Sequence, residues 1–186
     1  MGRFDFLKFE QFANKVEREL GEEQVRLFME ACAKELAARL LAKVIKRTPV
    51  GNYYREVEVT AKRTSKNHKK GDIYTKRINT TGKIGGTLRR GWTAGQDAAG
   101  YANSLPIYSS GSVFVIEVIN PVEYASYVEY GHRQELGRYV AAIGKRLKRS
   151  WVEGKFMLTI STQEIEADSP RLLEEKIRQK LEEVFK

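Results

Sequence analysis

The chain contains one cysteine and two histidines among its 186 residues. Cys32 cannot form an internal disulfide, which is consistent with a reducing compartment, and its place on an apolar helical stripe predicts a core residue. His68 lies in a run of lysines. Glu129 and His132 have the Glu-x-x-His spacing of di-iron bundles, but no second copy of this motif accompanies them. We therefore predict no catalytic residue, no metal site and no cofactor, and we expect that the protein is not an enzyme.

The sequence also lacks a long apolar run. No stretch approaches the ~20 consecutive apolar residues that a membrane-spanning helix needs. The N-terminal residues interleave charges with phenylalanines, unlike the apolar segment of a signal peptide. We therefore expect a soluble protein that is made in a cytoplasm and has no membrane partner.

Charge is plentiful and unevenly placed. The formal net charge is +9, and residues 61–90 hold ten lysines and arginines against Asp72 alone. Residues 133–151 hold six against Glu135, so the rest of the chain is mildly acidic. Basic patches of this kind indicate an anionic neighbour more strongly than uniform basicity does.

Three interpretations of the basic segments remain open: a solvated loop, contact with acidic partner subunits, and contact with duplex DNA. DNA contact would neutralise phosphates without reading sequence, since no helix-turn-helix or zinc-finger spacing is present. The residues predicted to face DNA are Lys62, Arg63, Lys66, Lys69, Lys70, Lys76, Arg77 and Lys83.

Apolar residues at helical spacing predict helices at both ends of the chain. The long second helix opens with two glutamates and closes with lysine and arginine, as the helix dipole favours, and Thr48-Pro49 stops it. The predicted helices are 3–20, 22–47, 156–167 and a last one from the Ser169-Pro170 cap to Phe185.

The middle of the chain alternates short apolar runs with turn residues, which predicts antiparallel strands. The predicted strands are 53–60, 87–95, 100–108 and 112–119. Residues 61–86 are polar and basic, and we predict a mobile loop or hairpin there. Residues after Gly131 are predicted to be irregular to about Ser150.

These elements predict an α+β fold, with long N-terminal helices and a C-terminal helix packed on a small antiparallel β-sheet. The length predicts one domain over residues 1–186. It comprises a helical segment at 1–48, the mobile basic loop or hairpin at 61–86, and a C-terminal helix at 168–186.

The most informative stretch runs from Val113 to Arg133. A β-branched and aromatic strand is followed by Asn120-Pro121, which predicts an N-cap and first helical residue, and Gly131 predicts the end of a helix of about three turns. In that helix Ala125 and Val128 are expected to face inward, whereas Glu123, Glu129 and some of the tyrosines are expected at the surface.

This stretch resembles a motif of the neck and tail-joining components of long-tailed bacteriophages and prophages, a family that includes tail-completion and minor tail proteins. Three further pieces match in order: Thr48-Pro49-Val50, Gly86-Thr87-Leu88-Arg89-Arg90-Gly91-Trp92, and Trp151 to Leu158. In the family the second piece usually follows the first closely. Here more than 30 residues intervene, so no family role is transferred to that insertion.

The resemblance implies a structural virion protein of the neck, which joins the DNA-filled head to the tail and is made in the bacterial host cytoplasm. It implies a homo-oligomeric ring, such as a hexamer, around the DNA channel, with other neck, head-completion or tail proteins as partners. Isolated subunits are expected to be monomers if the ring depends on a template. The alternative is a stand-alone basic protein that binds DNA without sequence preference.

Aromatic side chains near the motif predict a partner surface, because tyrosine combines an apolar ring with a polar tip. Packing at a sheet edge is the equally weighted alternative for the tyrosines. The predicted partner-interface residues are Tyr124, Tyr127, Glu129, Tyr130, His132, Arg133, Trp151 and Phe156.

Overall fold

The computed structural model describes residues 21–79, 84–111, 113–141 and 145–184, together with positions 10, 14 and 82. The predicted helix at 3–20 therefore lies outside the described residues, apart from two isolated positions. Lys83 and Phe185 lie outside them as well.

Helix α1 (Glu22–Arg47) has the predicted bounds. Its inner face buries Cys32, Ala37, Leu41 and Val44, the last two completely. The prediction that Cys32 is a core residue is confirmed. The helix ends at Arg47, and its C-cap is Thr48, whose backbone N–H donates to the carbonyl of Val44 at 2.9 Å.

Two short helices, α2 (Thr87–Gly91) and α3 (Ala98–Ser104), replace the strands predicted at 87–95 and 100–108. Leu88 and Trp92 are buried, whereas Arg90 midway between them is exposed. A strand would place all three side chains on one face, so this burial pattern is helical. Asp97 caps α3, because its side chain accepts a hydrogen bond from the backbone of Gly100 at 2.9 Å. Both strand predictions are therefore wrong.

Strands occur as four separate two-stranded antiparallel ladders in the described residues, rather than as one small sheet. The mixed α+β class is confirmed. The ladders pair β1 (Tyr54–Thr60) with β2 (Ile73–Asn79), β3 (Tyr108–Ser110) with β4 (Val113–Val115), β5 (Gly131–Arg133) with β8 (Trp151–Glu153), and β6 (Tyr139–Val140) with β7 (Lys145–Arg146). The strand predicted at 112–119 is thus limited to 113–115, and Ile116 and Val118 beyond it pack on the core.

Helix α4 (Ala125–Tyr130) is shorter than predicted, and the last helix, α5 (Met157–Val184), is longer. The break predicted at Ser169-Pro170 is wrong, because α5 runs through Pro170. Proline has no N–H for the carbonyl of Glu166, four residues earlier. The hydroxyl of Ser169 donates to that carbonyl instead, at 2.9 Å.

The core lies where α1 meets α2, α3 and the start of α5. Leu41, Val44, Ala102 and Met157 are completely buried there, and Trp92 is nearly so. Helix α5 is also tied to α1 by ion pairs, in which Lys43 and Arg47 contact Glu164.

Two β-ribbons extend the chain beyond this core. The first, here called the basic arm, comprises β1, β2 and their connection (residues 54–79), so the segment predicted as a loop or hairpin contains the second strand of a hairpin. The second ribbon comprises residues 131–141 and 145–153. Hydrogen bonds between Gln134 and Ser150 and between Arg138 and Leu147 continue it from β5–β8 to β6–β7. The prediction of irregular structure there is wrong.

Candidate partner-binding surfaces

Thr48 joins two of the sequence motifs by direct contact. Its hydroxyl accepts a hydrogen bond from the indole N–H of Trp92 at 2.8 Å and donates to the carbonyl of Val44 at 2.7 Å. Its own carbonyl accepts from the Arg89 guanidinium at 2.7 Å. Thr48 is completely buried and Trp92 is 4% exposed. The Thr-Pro-Val piece and the Gly86–Trp92 piece therefore form one buried junction.

The chain segments before and after the basic arm meet beside this junction. A Cβ atom added to Gly85 would lie only 2.2 Å from the carbonyl oxygen of Gly51, so the backbones meet where no side chain fits. Consequently the two motifs are neighbours in space although the arm separates them in sequence.

Asn120 belongs to the same junction. Its side-chain amide donates to the carbonyl of Leu88 at 2.8 Å, and its Oδ1 accepts from the N–H of Val122 at 3.2 Å. A Cβ atom on Gly91 would lie 2.4 Å from that Oδ1. Asn120 does not cap α4, which begins at Ala125; the predicted N-cap is wrong because this side chain is committed to α2.

Glu129 is 5% exposed, so the prediction of a surface position is wrong. Its carboxylate accepts from the backbone N–H groups of Leu158 and Thr159 at 3.0 and 2.9 Å, and from the Thr159 hydroxyl at 2.8 Å. The first N–H groups of a helix have no partner within the helix, and a carboxylate favours the positive end of its dipole. Glu129 of α4 thus caps α5 from outside.

The backbone beside Glu129 is packed just as closely. Gly131 ends α4 with a φ of 82°, and a Cβ atom there would lie 2.4 Å from the carbonyl oxygen of Val152. A Cβ atom on Gly154 would lie 2.3 Å from the carbonyl oxygen of Glu129. These contacts hold the second ribbon and the start of α5 against the tyrosine-bearing helix.

Five aromatic side chains are exposed on α4, on β8 and directly before α4 and α5. Each leaves between 43% and 61% of its area open to solvent. We call them the aromatic surface: Tyr124, Tyr127, Tyr130, Trp151 and Phe156. The inward positions predicted for Ala125 and Val128 are confirmed, since both pack on the core.

Phe156 has an unusual backbone conformation, and His132 has an unusual ring environment. Phe156 has a φ of +47°, a conformation that a bulky non-glycine residue rarely adopts. The ring of His132 meets that of Tyr127 edge-on, with centroids 5.7 Å apart. Its buried Nδ1 has no hydrogen-bond partner among the described residues. The neighbouring Arg133 is exposed.

The basic arm presents its charge to solvent. Seven of the eight residues predicted to face DNA are described, and all are exposed: Lys62, Arg63, Lys66, Lys69, Lys70, Lys76 and Arg77. The tip is internally bonded, with the His68 ring stacked on that of Tyr74 at 3.9 Å and the carboxylate of Asp72 accepting from the N–H of Lys69 at 2.6 Å.

The described residues contain no group of three or more His, Cys, Asp or Glu side chains that could hold a metal ion. Burial raises the pKa of the Cys32 thiol to about 11, so this thiol stays protonated and is a poor nucleophile at neutral pH. None of the described helices is both long and apolar enough to cross a membrane.

The family model described as "Bacteriophage HK97-gp10, putative tail-component" matches residues 10–131. Because this match spans more than half of the chain, the protein belongs to the HK97-gp10-like family of bacteriophage tail components. It is a structural phage protein of the virion, and the resemblance inferred from its motifs is confirmed. No curated protein and no solved structure matches the chain.

Proposed function

We propose that this protein is a neck component that joins the DNA-filled head to the tail, assembled as a ring around the DNA channel. Family membership supports a tail component, and a component of this kind interacts with other phage proteins. The observation that carries the neck assignment is the exposed basic arm beside the motif junction, because among virion proteins those along the DNA path face the largest polyanion.

The arm suits a channel lining because its charge is concentrated and exposed. Lysines and arginines on a flexible or projecting element neutralise phosphates without requiring a fixed DNA sequence or rotation. Five of the exposed basic residues, from Lys62 to Lys70, lie between the two strands. We place this tip toward the DNA and the strands nearer the neighbouring subunits.

The aromatic surface suits the protein partners. Tyrosine and tryptophan are enriched at interfaces, and Phe156 combines an exposed ring with a strained backbone, a combination that structures retain mainly at functional sites. Glu129, by contrast, acts indirectly, since its buried carboxylate fixes the start of α5 beneath that surface.

Deletion of the gene from the phage genome tests the proposal. The expected result is DNA-filled heads and finished tails that remain unjoined in electron micrographs, with joining restored by a plasmid copy. Complete virions in the deletion, or particles that lack tails altogether, would contradict a neck role.

The alternative is a protein that binds DNA on its own, which the seven exposed basic residues of the arm favour. It predicts tight binding of the purified monomer to duplex DNA, with an affinity that falls steeply as salt rises. The neck proposal predicts weak binding by the free subunit, because the charge of many arms is combined only in the ring.

A further inference from the structure

The hairpin of the basic arm has two edges, one on β1 and one on β2, that pair with no further strand of the described residues. β1 and β2 form a ladder of seven residue pairs, and no third strand joins it among the described residues. In an antiparallel ladder every second residue directs its N–H and C=O away from the partner strand. Along residues 55–60 of β1 and 73–78 of β2, each edge therefore offers a row of backbone groups that no further strand of the described residues uses. An isolated two-stranded hairpin is also only marginally stable in water.

The two edges carry opposite charge. β1 holds Glu56 and Glu58 beside Arg55, whereas β2 holds Lys76 and Arg77 and no acid. Ion pairs within the described part of the chain involve none of these side chains. The edge of β1 is thus net acidic and the edge of β2 is basic.

We propose that the arms of neighbouring copies join edge to edge, with β1 of one copy against β2 of the next, to form a continuous antiparallel sheet. This inference rests on the proposed ring. A contact between two different edges is heterologous, so it repeats from copy to copy and closes where the rotation allows.

Repetition of the hairpin side by side recreates its internal pairs across the new contact. Glu56 then lies opposite Arg77 of the next copy, as it does within each arm, and Val59 lies opposite Tyr74. The half-buried face that carries Val59, Tyr74 and Ile78 continues from one copy to the next. Opposite charges and apolar pairs directly across a ladder are both stabilising.

Contacts between identical edges are disfavoured by the same charges. Two β1 edges would bring Glu56 and Glu58 against their own copies, and two β2 edges would bring Lys76 and Arg77 together. Like charges directly opposite each other destabilise a sheet. The charge pattern therefore selects the head-to-tail arrangement over a two-fold dimer.

Charge-swap complementation of the gene-deletion phage tests this contact inside the assembling virion. The first half-swap is Glu56→Lys with Glu58→Lys, and the second is Lys76→Glu with Arg77→Glu. The full swap combines all four substitutions and keeps the net charge of the natural chain. All variants are first checked for an unchanged helical circular dichroism spectrum.

Each half-swap alone is expected to lower the phage titre at least roughly tenfold, because like charges then face each other between copies. Co-expression of the two half-swaps restores the titre, since alternating copies again present opposite edges, and the full swap complements by itself. Each half-swapped arm still has like charges on its own β1 and β2 when the two variants are co-expressed. Relief of repulsion within one arm therefore cannot explain the rescue.

Half-swaps that complement like the natural chain, or that fail to rescue each other, would overturn the edge contact. Either result leaves the neck proposal standing as long as the deletion still separates heads from tails. A deletion that still yields complete virions would instead remove the neck proposal itself. If β1 and β2 faced DNA rather than protein, the half-swap that adds lysines would retain titre, which would also overturn the contact.

Discussion

The carboxylate of Glu129 in α4 holds the first turn of α5 through the backbone N–H and hydroxyl of Thr159, at 2.9 and 2.8 Å. This contact links the tyrosine-bearing helix to the longest helix of the protein. The Glu129 carboxylate therefore helps to position the aromatic surface, together with the backbone contacts at Gly131 and Gly154.

Replacement of Glu129 by alanine is expected to lower the free energy of unfolding by about 2 kcal/mol, because two helix N–H groups and a hydroxyl lose a charged acceptor. Urea denaturation monitored by circular dichroism measures this change. Glu123→Ala, in an exposed position six residues earlier, is the matched control and should leave stability nearly unchanged. Equal effects of the two substitutions would show that the cap contributes nothing.

The buried hydrogen bond between Trp92 and Thr48 should also be measurable. Thr48→Val keeps the shape of the side chain but removes the acceptor for the indole N–H, so we expect a loss of about 1–2 kcal/mol. Thr48→Val and Trp92→Phe together should cost less than the sum of the single substitutions, as expected for residues in direct contact. Strict additivity in the denaturation data would contradict a shared bond.

The α1–α5 ion pairs predict a specific loss of stability in acid. Hydrogen bonds from Lys43 and Arg47 hold the pKa of Glu164 below its ordinary value of 4.5. A carboxyl with a lowered folded pKa contributes stability that is present above the unfolded value and is lost as pH falls through the folded value. Glu164→Gln should therefore flatten the decrease in melting temperature below about pH 5, whereas the exposed Glu166→Gln should not.

Tyr127 and Tyr130 are expected to act in assembly rather than in folding. They expose 58% and 61% of their area, so replacing both by alanine should leave the melting temperature close to that of the natural chain. Complementation of the gene deletion should nevertheless fail, because the partner contact is lost. A double variant that unfolds would show that the rings belong to the core, and the aromatic surface would then lose its assigned role.

Residues 61–79 of the basic arm are expected to exchange their amide hydrogens rapidly in the free protein. The arm has no third strand in the described residues, and few apolar contacts protect its hydrogen bonds. Hydrogen exchange followed by mass spectrometry should give fast exchange there and slow exchange in α1 around Leu41. Protection of the arm equal to that of α1 would contradict a mobile element.

Local signals in the sequence were sufficient for some elements and not for others. The bounds of α1 could be predicted because charges, apolar spacing and Thr48-Pro49 agree. The strand predicted at 112–119 has real β propensity, but Ile116 and Val118 leave the ladder to pack on the core, a tertiary effect that propensity does not encode.

Other errors came from side chains with distant partners. Asn120 has the composition of an N-cap but bonds to the carbonyl of Leu88, and Glu129 looks like a surface charge but caps α5. The charged Arg90 midway between apolar Leu88 and Trp92, and the cap at Asp97, were available signals for α2 and α3. Pro170 has no N–H for the carbonyl of Glu166, and the Ser169 hydroxyl donates to that carbonyl instead. The Ser169-Pro170 pattern, which is typical of a helix start, can therefore lie inside α5.

Electron cryomicroscopy of the neck in purified virions tests the proposed position of this protein. We expect a ring of this fold between the filled head and the tail, with the basic arms toward the DNA. Density for this fold along the tail shaft or at its tip, with none at the head-to-tail junction, would contradict it.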